Sequence, residues 1–209
     1  SSLIVKGNIN GFVSYNRYTA LIGSAAGGTN DLISAPVVGE IFGAFATANP
    51  NLAASGNFRA FAPYNTSAGA YQNYDIANNA NTTISSGIEY RAATVDGSTL
   101  KFTGTVRTVP VNVSISDASA GNAWNLIGNP YPSYIDFNSF FTDNKDQFNT
   151  EGEYQAVYGY NGATSNGWTV WNSATIADPA ITELIAPGQG FFVKSKPKGD
   201  SVTVTPGKP

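Results

Sequence analysis

The sequence predicts an all-β fold, a jelly-roll-like β-sandwich built from two pseudo-symmetric repeats of about 95 residues, each with room for one short helix. Three observations carry this. The chain says nearly the same thing twice: DLISAP at Asp31–Pro36 returns as NLIGNP at Asn125–Pro130, and FRAFAPYN at Phe58–Asn65 returns as YQAVYGYN at Tyr154–Asn161. Tyr71 and Tyr74 then answer to Trp168 and Trp171, and SSGIEYRA at Ser85–Ala92 answers to APGQGFFV at Ala186–Val193, so the matches are collinear and drift only by loop insertions. Second, short runs of alternating polarity recur, bounded by Gly, Asn and Pro. Third, sustained helical periodicity is missing.

The elements follow in order. FVSYNRYT at Phe12–Thr19 alternates as a half-buried strand, and DLISAP is a second strand stopped by proline. After Pro36 a short helix runs through VGEIFGAFATAN to Asn49. FRAFAPYN and AYQNYD flank a TSAG turn and form a hairpin, and SSGIEYRA closes the copy. The second copy repeats the plan. VRTVPVNVSI, Val106–Ile115, reads as one strand that ends copy one and begins copy two, which favours a single interlocked domain over residues 1–209, with repeats at about 12–104 and 106–206. NLIGNP is the next strand, and SYIDFNSFFTDN gives a helix in which Ser133 or Asp136 caps the first turn. YQAVYGYN and GWTVWN form the second hairpin, and GFFVKS and SVTVTP are the final strands. In GNPYPS, Gly128 supplies a positive φ, the prolines enforce extended geometry before them, and Asn129 closes the bend; Gly188 and Gly190 bracket a tight turn.

Composition narrows the function. Charged residues make up only 12% of the chain and the net charge is -3, with no cluster of Lys and Arg, so nucleic acid has no electrostatic footing and an anionic polymer finds little positive field. Cysteine is absent, which removes disulfides and thiol chemistry. No apolar run is long enough to insert in a membrane. Rich in Gly, Asn, Ser, Thr and aromatics, the chain has the dress of an extracellular β protein.

The second copy carries WNLIGNPYPSYIDFNSF at Trp124–Phe140, a VYGYN hairpin and IAPGQGFFVKS at Ile185–Ser195. This wording resembles a duplicated β domain of secreted, multi-domain Bacteroidota proteins, one that lies upstream of a type IX secretion sorting domain in adhesins and polysaccharide-degrading enzymes. The resemblance implies secretion or cell-surface display, neighbouring domains in a larger protein, and an ancillary role. It carries over no catalytic residue, because the shared motif is explained by turn chemistry.

The chain has no histidine, so the usual general base, the Ser-His pair and the commonest metal ligand are missing together. Paired carboxylates remain, from Glu89, Asp136, Asp143, Asp146, Glu151, Glu153 and Glu183, but none stands at a catalytic spacing. The loop Asp143–Glu153 reads as solvated; a calcium ion there is the one cofactor the residues admit, although the spacing departs from the Asp-rich calcium loop and Lys145 sits within it. The expectation is therefore no catalytic residue, no metal ligand and no enzyme.

Aromatics are the stronger lead, since planar rings on a β surface stack on the apolar faces of pyranoses while amides satisfy the hydroxyls. Rings present in both copies, among them Tyr64/Tyr160, Tyr71/Trp168, Tyr74/Trp171 and Tyr90/Phe191, read as packing residues of the common unit. Rings gained in copy two read as a sugar platform: Tyr131, Tyr134, Tyr158 and either Trp168 or Trp171, which lie on opposite faces of one strand. The first reading is a non-catalytic carbohydrate-binding or adhesion module that binds polysaccharide. A structural spacer without a small ligand is the second, and a polysaccharide-degrading β-sandwich enzyme the third.

Overall fold

A computed structural model describes residues 2–5, 7, 9–23, 30–117, 122–149, 155–160, 167–172, 174, 177 and 183–207. Copy one runs β1 (Val13–Tyr18), β2 (Asp31–Ser34), α1 (Phe42–Ala48), β3 (Ala54–Ser55), β4 (Phe58–Arg59), β5 (Phe61–Asn65), β6 (Ala70–Tyr71), α2 (Ile76–Asn79), β7 (Glu89–Ala92) and β8 (Thr99–Gly104). Copy two runs β9 (Val111–Ile115), β10 (Trp124–Gly128), β11 (Ile135–Asp136), α3 (Phe137–Asn144), a 3-10 turn at Lys145–Gln147, β12 (Ala156–Tyr160), β13 (Trp168–Asn172), β14 (Leu184–Ile185), β15 (Gly190–Lys194) and β16 (Asp200–Val204). The fold is all-β, with antiparallel sheets and few short helices.

The two copies share one topology. Copy one forms a four-stranded sheet in the order β2-β7-β5-β6, and copy two forms β10-β15-β12-β13, the same order strand for strand. Each copy also pairs its first strand with its last, β1 with β8 and β9 with β16. Every one of these sheets draws its strands from a single copy. The stretch expected to run as one strand across the join does not: Val106–Pro110 is irregular, because Pro110 lacks the N–H a ladder needs, and only Val111–Ile115 pairs.

Within each copy the two-stranded and four-stranded layers enclose a core with the helix. Phe42, Phe45, Phe61, Tyr90, Leu100 and Phe102 fill the first, and Phe137, Phe140, Phe191, Val193, Val202 and Val204 the second. The helices are short and depend on tertiary anchors rather than propensity. Asp136 caps α3 by accepting the Ser139 N–H at 2.7 Å, while α1 has no side-chain cap. Both helices end on a buried asparagine that works as a clamp. Asn49 Nδ2 donates to Phe45 O and Lys101 O, and its Oδ1 accepts the Lys101 N–H; Asn144 does the same with Phe140 O, Thr203 O and the Thr203 N–H.

Candidate functional site: an aromatic groove between the copies

The two four-stranded sheets meet through the faces turned away from their cores, and the contacts obey a pseudo-twofold. Ile33 bridges to Gln189 and Ile127 bridges to Ile88, which are equivalent pairs with the copies exchanged. The same exchange relates two backbone bonds, Ser34 N–H to Gly188 O at 2.9 Å and Gly128 N–H to Gly87 O at 3.0 Å. Gly87 and Gly188 both adopt positive φ, 85° and 63°, so the turn before β7 and before β15 needs glycine in each copy. Gly128 and Gly190 are glycine for a different reason from the turn geometry expected of them. Both lie in extended strands; a Cβ on Gly128 would come 2.6 Å from Ser34 Cβ, and one on Gly190 would fall on the Glu89 carboxyl group. Glu89 is the repeat equivalent of Gly190, and Ser34 of Gly128. Large faces small at the closest approach of the sheets.

Farther along the same faces the sheets diverge, and the gap is a groove of about 390 Å³ lined by Tyr64, Tyr71, Trp124, Tyr158, Trp168 and Phe192. Strand alternation explains the lining. On β12, Val157 enters the copy-two core while Tyr158 and Tyr160 face the groove. On β10, Ile127 enters the core and Trp124 and Leu126 face the groove; on β15 Phe191 and Val193 are core and Phe192 faces out. The rings lock edge to face. Tyr64 from copy one meets Phe192 from copy two at 5.1 Å between centroids, Trp124 meets Tyr158 at 5.0 Å, and Trp168 lies 5.9 Å from Phe192. Beneath them Leu32 and its counterpart Leu126 close the floor. Two cations accompany the rings: the Arg91 guanidinium sits 4.3 Å over Tyr71, and the Lys194 ammonium 6.0 Å over Trp124. Asn122 donates to the Tyr64 hydroxyl at 3.3 Å.

Glu89 lies beneath this face, fully buried, with neither carboxylate oxygen in a hydrogen bond among the described residues. Burial drives its pKa well above the usual carboxylate range; the Arg17 charge and the nearby Phe191 amide oppose this without cancelling it, and Asp31 adds to it. Burial also raises the Tyr71 hydroxyl.

The structure separates the rings offered for one platform, Tyr131, Tyr134, Tyr158 and one of Trp168 and Trp171. Trp168, 51% exposed, and Tyr158 stand in the groove. Trp171 is on the opposite face of β13, buried in the copy-two core against Phe137, and Gly159 leaves the space for its ring. Tyr131 is also core, 1% exposed, with its hydroxyl donating to the Val204 and Val109 carbonyls at 2.6 and 2.9 Å. It is therefore no surface ring: the bend closed by Asn129, which donates to Ser133, Ile185 and Ala186 carbonyls, turns it inward. Tyr134 is exposed, but on another surface, at a cavity of about 670 Å³ with Asp136, Asn138 and Asp143. Sequence reading missed Tyr64, Tyr71, Trp124 and Phe192. Two of these belong to the ring pairs shared by both copies, which pack the seam between copies rather than the interior of each; the other two are signalled by alternation with core residues in WNLIG and GFFV.

Of the acidic candidates, Asp136 serves as a helix cap and Glu89 is interred, while Glu151 and Glu153 lie outside the described residues. Among the described residues no group of three or more Asp or Glu is arranged to hold a metal. No helix there is long and apolar enough to cross a membrane.

The fold and the groove thus define a duplicated β-sandwich module with an aromatic seam. A family model described as a domain of unknown function, DUF8693, matches residues 31–205, and the chain belongs to that family. No curated protein and no solved structure matches the chain.

Proposed function

We propose that the chain is a non-catalytic polysaccharide-binding module of a secreted or surface-displayed bacterial protein, and that the ligand enters the aromatic groove between the two copies. The observation that carries this is a gap between the two sheets that, among the described residues, is lined by six aromatic side chains. Such rings offer flat apolar faces to pyranoses, and the hydroxyls of Tyr64, Tyr71 and Tyr158 supply polar partners. Seated on paired strands, the rings are held in place before a ligand arrives, which lowers the cost of ordering on binding.

A purely structural seam is the competing reading, since Tyr64 and Tyr71 of copy one also meet Phe192 of copy two edge to face, at 5.1 and 6.4 Å, and so bind the copies to each other. Calorimetry and affinity electrophoresis across a panel of soluble polysaccharides separate the two. Binding that disappears in Trp168→Ala and Tyr158→Ala, with melting temperatures within a few degrees of the parent, supports the groove. Silence of the parent protein across the panel leaves the spacer.

A further inference from the structure

Overall charge is a poor guide to local field. The chain carries a net charge of -3, yet the ring walls of the groove bear a cation on each side, Arg91 from β7 over Tyr71 and Lys194 from β15 over Trp124. Among the described residues the side chain of Arg91 makes no hydrogen bond or ion pair, and its contact there is the π-face of Tyr71. The one carboxyl group on the same face of β7 is Glu89, two residues away, and it is interred with the strand contacts rather than turned to the groove. Its carboxyl is packed against Gly190 of the other copy, and burial favours its neutral form.

Resting on the polysaccharide reading above, we infer that the groove selects anionic sugars, pyranoses bearing a carboxylate or sulfate ester, with the rings stacking on the sugar and Arg91 pairing with the acid. An aromatic face supplies affinity for any pyranose, whereas a guanidinium fork matches an oxyanion in two parallel hydrogen bonds that a hydroxyl cannot reproduce. A guanidinium beside stacking rings suits a repeating polyanion of low charge density. It is too little for a nucleic-acid strand, whose binding relies on many phosphate contacts.

The test titrates the full chain with polygalacturonate, a sulfated galactan, a neutral galactan and an oligothymidylate at low and moderate salt. The expected result is at least tenfold tighter binding of an acidic polymer than of the neutral galactan, weakening as salt rises. Arg91→Ala brings the acidic polymer toward the neutral one, Arg91→Lys restores part of the preference, and Trp168→Ala abolishes binding of both. The polyuronate and sulfate arms show which acid is read. Arg91→Gln, with a melting curve, stands in should Arg91→Ala fold poorly. Equal affinity for acidic and neutral polymers in the parent, lost in Trp168→Ala, overturns the charge inference and leaves the glycan reading intact. Binding unaffected by Trp168→Ala, or no binding to any polymer, overturns both. Preference for oligothymidylate replaces the sugar with a single strand.

Discussion

Copy one and copy two are the same machine in outline and opposites where they touch. Strand order, the pairing of first with last strand, the helix-terminal asparagine clamp and the positive-φ glycine before the central strand are common to both. At the shared face Leu32/Leu126 and Tyr64/Tyr160 are kept, but other equivalents diverge: Glu89 against Gly190, Ser34 against Gly128, Arg91 against Phe192, Tyr71 against Trp168, and Ala62 against Tyr158. The interior of each copy stays close to a common plan, while the seam is built from complementary differences. A duplicated unit packed on its twin cannot fill its own closest approach with two large residues, so one side empties where the other fills.

The largest effect tests that complementarity directly. Gly190→Val places a side chain on the Glu89 carboxyl and should cost more than ~3 kcal/mol, beyond ordinary overpacking because the displaced group is a buried carboxyl. Combining it with Glu89→Ala should recover much of the loss, and strict additivity by chemical denaturation would mean the two residues do not compete for one space. Next comes Tyr131, the inward ring of copy two: Tyr131→Ala should cost ~3–5 kcal/mol, and Tyr131→Phe, which strands the Val109 and Val204 carbonyls, ~1–3 kcal/mol. The clamps should behave as equals. Asn49→Ala and Asn144→Ala each remove three hydrogen bonds and should cost ~2–3 kcal/mol, agreeing within ~1 kcal/mol. A large imbalance would show that one copy carries the stability.

A smaller effect is a pH slope. Burial raises the pKa of Glu89, and raises that of the buried Glu40 to about 7. In the window between the unfolded value, ~4.3, and these raised values, the unfolded chain has released protons that the native chain keeps, so stability is fullest below the window and declines as pH rises through it. Glu89→Gln and Glu40→Gln should each flatten part of that decline; melting scans at pH 5, 7 and 9 read it, and an unchanged slope in both would place the titration elsewhere. The smallest change is Trp168→Ala, at or below ~1 kcal/mol because half of the ring is already in solvent.

Architecture was largely legible in the sequence because repeats and turns are local signals. The collinear motifs placed β2 with β10, β5 with β12, β6 with β13 and β7 with β15, and the paired sheets have those strands in matching order. Asp136 at the head of α3 was likewise readable as a cap. The groove was less so. Alternation tells which residues share a face, and it separated Trp168 from Trp171, but it does not say which face is covered by the helix layer and which meets the twin. Rings common to both copies therefore read as interior, when Tyr64 and Tyr71 lie at the seam. Tyr131 misled for the opposite reason: it follows Pro130 in a bend whose inward direction is set by Asn129 contacts more than fifty residues away.

The interred carboxyl of Glu89 has a further consequence, for assembly. Tandem units of one ancestry are prone to swap partners, within a chain or between neighbouring chains, while they fold. A copy-one sheet meeting another copy-one sheet would set two Glu89 side chains against each other in the space that a missing side chain normally provides, with no room for either and a second carboxyl to desolvate. Two copy-two sheets would meet glycine to glycine and leave a void. The mixed pair desolvates one carboxyl but has neither clash nor void, so a single acidic residue and its glycine act as an address, directing each half to its unlike twin.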